Sequence, residues 1–389
     1  MHDPATDPMQ RIGWTATLSL ALVGTLISVG IYGVAPALPR IAQAFADTPN
    51  AALLVQIAGG VTAPAFALVS PLAGRIVSRY GVRSVYILSV WLTVAALLTA
   101  GLTTQLWQLV VLRVITGMGI AGGITAAKSA IARTPESRRH FLFSSVSLTA
   151  GVAGVLGAVL VGMLTVHSWR LAFLTSLLMA PAALLALALP REGGSGLLQA
   201  ARHPFGILAG VPVPYLYSVV VSGWVMALIG LHTPFYLKST GIADPARIGS
   251  TMGLITGCAV IGSLLYGVTQ RILGTRSTMI AGLVITALGG LATLVAPSFT
   301  LVIAAICLLS FGNGLFCGGA YAYPVELAPR EVPPGEVAGI VSLALYGPQV
   351  LLPFATSALS SALGPAAAYP GVALLVALAA VALAVPRRA

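Results

Sequence analysis

Apolar runs of about 20 residues, separated by short polar breaks, recur along the whole chain. That is the length a helix needs to cross roughly 30 Å of hydrocarbon. The runs are rich in Ala, Leu and Gly and lack polar/apolar alternation, so they read as helices and not as barrel strands. Twelve spans are predicted, at about 12–36, 51–72, 84–104, 107–130, 141–165, 169–190, 211–236, 248–268, 277–296, 299–323, 336–358 and 366–385. The first apolar stretch is too long for a cleaved leader and no clear small-residue cleavage site follows it, so it is read as a span.

The one long polar interruption opens Arg191-Glu192-Gly193-Gly194-Ser195-Gly196. It divides the chain into a predicted six-helix bundle at 1–190, a linker at 191–210 and a second six-helix bundle at 211–389. Features of the first half return in the second at nearly constant offset. Gly74, Arg79, Gly81 and Arg83 form a basic loop after the second span, and Gly267, Arg271, Gly274 and Arg276 repeat it 193 positions later. Pro36 pairs with Pro234 at an offset of 198, and Asp47 with Asp244 at 197. The chain reads as a duplicated bundle.

Composition excludes a soluble domain. The chain is 58% hydrophobic and 7% charged, where soluble domains carry roughly a quarter charged residues. The fold class expected is an all-α membrane protein, with 12 transmembrane helices in two pseudo-symmetric six-helix bundles. A net charge of +11 could suggest nucleic acid, but its placement argues for topology. With the N-terminus inside, 14 basic residues fall on the inner side and 4 on the outer, while Arg113 and Lys128 lie within the fourth span. This asymmetry predicts a multi-pass protein of the inner (plasma) membrane with both termini cytoplasmic. No nucleic-acid partner follows from it.

These loops, in this architecture, resemble those of the major facilitator superfamily. The family loop typically reads Gly-x-x-x-Asp-Arg-x-Gly-x-Arg, and Gly74, Arg79, Gly81 and Arg83 match it. Ser78 and Arg271 stand where the two acids belong. The resemblance implies that the loops latch the cytoplasmic ends of the halves in the outward-facing state. Arg113, Gly117, Gly119 and Ala121 resemble the fourth-helix motif of the drug-exporting branches. Gly154, Gly157 and Gly162, followed by Trp169-Arg170, resemble their fifth-helix motif, with Ala158 in place of the usual proline. Pro36-Ala37-Leu38-Pro39 resembles the proline pair ending their first helix, where Tyr32 replaces a frequent Asp.

None of the 9 acids lies in the middle of a span, so a membrane carboxylate serving as proton relay or drug counter-ion is not expected. Arg113 is the sharpest candidate, because a guanidinium in hydrocarbon needs water, a partner or carbonyls. Its partner is either an anionic group of a substrate or the backbone of the first helix. Lys128 reads as snorkelling to the inner headgroups. The resemblance places the first, fourth, seventh and tenth spans around a central cavity. It thereby adds Tyr32, Trp224, Asn313 and Tyr321 to the substrate candidates, with Gln56 and Gln349 from the second and eleventh spans. For the buried amide of Asn313, helix-helix bonding is an equal alternative. His232 could titrate near an outer gate, or serve as an interfacial residue.

The 5 histidines share no metal-ligand spacing, and the 3 cysteines read as small buried hydrophobes. No phosphate loop, nucleophile elbow or paired catalytic carboxylates appear, so neither an enzyme, a metal site nor a cofactor is predicted. The expected function is secondary transport of a small molecule by alternating access, with export implied by the fourth and fifth spans. The alternatives are an organic-anion carrier or facilitator using Arg113, and a non-transporting membrane protein. The expected partners are the substrate, the lipid bilayer and a coupled proton or other ion, and the expected state is a monomer.

Overall fold

The computed structural model describes Met9 and residues 12–191, 211–320, 323 and 334–385. It contains 12 helices long and apolar enough to cross a membrane. They are α1 (Trp14–Ala44), α2 (Ala51–Tyr80), α3 (Val82–Ala100), α4 (Leu106–Ala132), α5 (Phe141–His167) and α6 (Trp169–Ala188). The second set is α7 (Val213–Ser239), α8 (Pro245–Leu273), α9 (Thr275–Ala292), α10 (Phe299–Gly319), α11 (Gly339–Leu363) and α12 (Pro365–Ala384). Each predicted span corresponds to one helix. The predicted linker, but for Arg191, and the candidate Tyr321 lie outside the described residues.

The clearest local correction concerns the two basic loops. Residues 74–80 are the last turns of α2 and residues 267–273 the last turns of α8, so most of each loop is helix. Apolarity fades there, but a helix extending beyond the hydrocarbon keeps its backbone bonds regardless. Each turn into the next helix is made by one glycine, Gly81 at φ 81 and ψ 153, and Gly274 at φ 80 and ψ 159. Only glycine occupies that region without strain of about 1–3 kcal/mol. Gly81→Ala and Gly274→Ala should therefore lower the thermal midpoint of the detergent-solubilised protein. Gly74→Ala should leave it unchanged or raise it, because a Cβ there meets nothing within 4 Å and Ala favours helix over Gly.

Within each half, glycines bring helix backbones into contact, as membrane helices require where lipid is as apolar as leucine. A Cβ at Gly119 of α4 would lie 2.9 Å from the Ser89 carbonyl of α3, and one at Gly282 of α9 would lie 2.9 Å from the Gly312 carbonyl of α10. Asp244, half of the repeated Asp pair, caps α8 by accepting from the Ala246 N–H at 3.0 Å.

The halves meet along α5 with α8, α2 with α11, and the ends of α1 and α2 with α7. The closest approaches lie at the end carrying residues 44–51 and 239–245, which the arginine asymmetry predicts to be the outer end. There Gly162 of α5 faces Gly249 of α8 backbone to backbone, so that a Cβ on Gly249 would sit 2.7 Å from the Gly162 Cα. Leu231 of α7 fills the space over Gly59 and Gly60 of α2. Nearer mid-membrane, Phe66 and Tyr346 meet edge to face at 5.2 Å. This end is closed.

Candidate functional site

Two helices at the centre of the seam are wound irregularly. Residues Ser28–Tyr32 of α1 and Leu228–His232 of α7 form π turns, each just ahead of one of the repeated prolines, Pro36 and Pro234. A π turn widens the helix and redirects carbonyls, and proline removes the N–H that the fourth residue before it would use. Helix α2 is also interrupted, at Val61, between Ala51–Gly60 and Thr62–Tyr80, with Pro64 nearby.

Arg113 occupies the gap between these interruptions. Its side chain is 1% exposed. Nη1 donates to the Gly30 carbonyl at 2.8 Å and Nη2 to those of Ile31 at 2.5 Å and Gly59 at 3.1 Å. Nε donates to the Ala58 carbonyl at 3.4 Å. One guanidinium thus ties the π turn of α1 to the break in α2. The forked geometry explains the choice of arginine, since a lysine ammonium cannot span both acceptor pairs. Of the two partners open to Arg113 in the sequence, the backbone of the first helix is the one present, joined by that of the second. Ser28 and Thr116 are likewise committed to carbonyls, those of Ala150 at 2.5 Å and Leu112 at 2.8 Å.

Tyr32 crosses the seam. Its hydroxyl donates to Gln349 Oε1 on α11, and Gln349 Nε2 donates in turn to the Leu345 carbonyl at 3.0 Å. The Tyr32 ring lies against Gly230 in the π turn of α7, where a Cβ would come within 2.5 Å of it. On α7, Ser222 donates to Asn313 Oδ1 of α10 at 2.7 Å and contacts the Cys317 thiol at 3.3 Å. Gly223 of α7, next to Ser222, lies against the Leu345 carbonyl of α11. Trp224 donates to the Pro348 carbonyl at 3.0 Å, tying α7 to α11. Tyr32, Trp224, Asn313 and Gln349 therefore converge from four helices. Gln56 stands apart from this cluster, buried on α2 with Oε1 unpartnered. His232 is buried, with Nε2 at 2.9 Å from the Pro365 carbonyl and its ring edge-on to Tyr369.

Among the described residues, the latch contacts lie within their own halves. Gly74 and Gly267 face open space, and Arg79 stacks over the neighbouring Tyr80 ring at 5.4 Å. Arg276 donates to the carbonyls of Leu383 at 2.9 Å and Val385 at 2.8 Å, at the end of α12. Among the described residues no group of three His, Cys, Asp or Glu side chains is placed to hold a metal ion.

Sequence reasoning missed Cys317, read only as a small hydrophobe, and the Ala58 and Gly59 carbonyls of α2 that hold Arg113 beside those of α1. Neither left a residue-type signal beyond the glycines and prolines that shape the breaks.

The family model of the Major Facilitator Superfamily matches residues 20–268, from the start of α1 through nearly all of α8. The chain belongs to the Major Facilitator Superfamily. Facilitators of known structure share its fold from end to end. A D-xylose–proton symporter superposes with a TM-score of 0.79 at 16% identity, over 96% of this chain and 98% of that one. A bacterial homolog of the human lysosomal transporter Spinster, solved inward-facing and unoccupied, gives 0.70 at 20% identity over 97% and 95%.

Among curated relatives, the lincomycin resistance protein of Streptomyces lincolnensis is 32% identical over 169 residues, 43% of this chain and 34% of that protein. The class H tetracycline resistance protein of Pasteurella multocida is 26% identical over 145 residues, 37% and 36%. The chain thus spans about a third of the length of those two. Multidrug resistance protein MdtG of Enterobacter lignolyticus (strain SCF1) matches at 26% over 296 residues, 71% of this chain and 70% of that one. This is a multi-pass membrane protein of a transporter family.

Proposed function

We propose that this facilitator exports a small molecule across the inner membrane by alternating access. Its two bundles, 1–190 and 211–389 joined by the linker 191–210, rock about the Tyr32–Asn313 cluster. The observation that carries the reading is the seam itself. The halves touch at the outer end through facing glycines, and Tyr32 spans them with a single hydrogen bond to Gln349, a contact that can break and reform. Export is favoured by likeness to resistance proteins, and an inward-facing state by the closed outer end. Both termini are read as cytoplasmic from the arginine asymmetry, the protein acts as a monomer without enzymatic activity, and the latch residues engage only when the outer end opens.

The anion-carrier alternative loses its main support, because Arg113 already serves four carbonyls. Coupling to protons or another ion would have to proceed without a mid-span carboxylate. In proteoliposomes, export predicts that an imposed pH gradient drives substrate movement and that substrate moves protons in return. Flux indifferent to the gradient would leave a facilitator in its place. In a drug-hypersensitive host, expression should raise resistance to at least one compound, and Gly249→Val should not.

A hydrogen bond between two neutral side chains contributes about 1 kcal/mol, or roughly fivefold in population. Tyr32→Phe should therefore shift the protein toward the outward-open form by about that factor. Alkylation of a cysteine placed at the outer seam would rise accordingly, and an unchanged rate would remove Tyr32 from the gate.

A further inference from the structure

The cluster at the seam is polar yet carries no charged side chain, and the hydrogens it leaves unpartnered are those of its two side-chain amides. Gln349 Oε1 accepts from Tyr32, and Nε2 uses one of its two N–H groups on Leu345. Asn313 Oδ1 accepts from Ser222, while its amide nitrogen has no protein partner among the described residues. Trp224 has spent its single N–H on Pro348. The hydrogens that remain free are amide N–H groups, beside the Cys317 thiol and the Tyr32 ring, while the amide and hydroxyl oxygens keep lone pairs of their own. A buried charge needs a counter-charge. Arg113 offers none to an anion, and no acid in the middle of a span offers one to a cation.

We infer that the transported molecule is uncharged and carries carbonyl or ether oxygens, which accept from Asn313 and Gln349 at this cluster. The inference rests on the transport reading above, and it names the substrate class. A neutral acceptor satisfies the free N–H groups at little desolvation cost, whereas an ion of either sign enters unpaired.

The test is equilibrium dialysis of the purified full chain with three probes sharing one aryl ketone. They differ in a tetraethylene-glycol, a trimethylammonium or a carboxylate tail. The neutral probe should bind at least about tenfold tighter than either ion. Asn313→Leu and Gln349→Leu should each weaken it by about tenfold, the loss expected where a site built to hydrogen-bond loses its partner. Asn313→Asp, which places a carboxylate in the cluster, should turn the preference toward the cation. All variants are first matched to the parent chain in thermal midpoint, and a variant that fails is replaced by Asn313→Ala or Gln349→Ala. Equal or tighter binding of either ion by the parent chain overturns the inference, as does neutral binding indifferent to these substitutions. Failure of all three probes to bind at millimolar concentration also overturns it. Dialysis involves no gradient or direction, so binding as described with no flux would sink the export reading and leave this one standing.

Discussion

Arg113→Gln should abolish transport of every substrate and lower the thermal midpoint of the purified protein markedly. Glutamine supplies two N–H groups on a shorter side chain where four carbonyls now receive the guanidinium. Each buried acceptor left unsatisfied costs about 1–3 kcal/mol, so the junction of α1 and α2 loses several kcal/mol together. Arg113→Lys should fall between the two, because it keeps the charge but cannot reach both helices at once. Flux and melting measured on the same preparations decide the matter. Normal melting with a loss confined to anionic substrates would instead mean that Arg113 pairs with the substrate.

Gly249→Val should hold the protein open at its outer end and reduce flux to background. A Cβ at this position would lie 2.6 Å from the Ala158 carbonyl and 2.7 Å from the Gly162 Cα. Both are backbone atoms of the opposite half, so no side chain can swing away to make room. Because the contact lies between the bundles, each bundle should keep its own packing, and the midpoint should move little. Flux near the parent value would show that α5 and α8 can separate without consequence.

Sequence periodicity alone predicts the number of spans and the doubling, because crossing hydrocarbon as helix leaves an unmistakable run length. Helix ends are less legible. The stretch from Gly74 to Tyr80 looks like a loop because it is polar, yet it continues α2, since polarity marks leaving the lipid and not leaving the helix. Arg113 stands out as a charge in an apolar span, but sequence cannot tell carbonyls from a ligand as its partner, because carbonyls are everywhere in the chain. The π turns decide it. They arise where Pro36 and Pro234 disturb the bonding upstream, and no composition rule reports which carbonyls then turn inward. Tyr32, noted as a departure from the family acid and as a substrate candidate, proves to reach the opposite half because Gly230 leaves room for its ring.

The measurement closest to the central claim is a pair of spin-label distances in the parent chain and in Gly249→Val. One pair, Asp47→Cys with Thr240→Cys, reports the outer end, and the other, Ser84→Cys with Ser277→Cys, reports the opposite end at equivalent exposed positions of the two halves. If the bundles rock about the central cluster, Gly249→Val lengthens the outer distance and shortens the inner one together. An outer distance that grows while the inner one stays fixed would contradict alternating access in this protein.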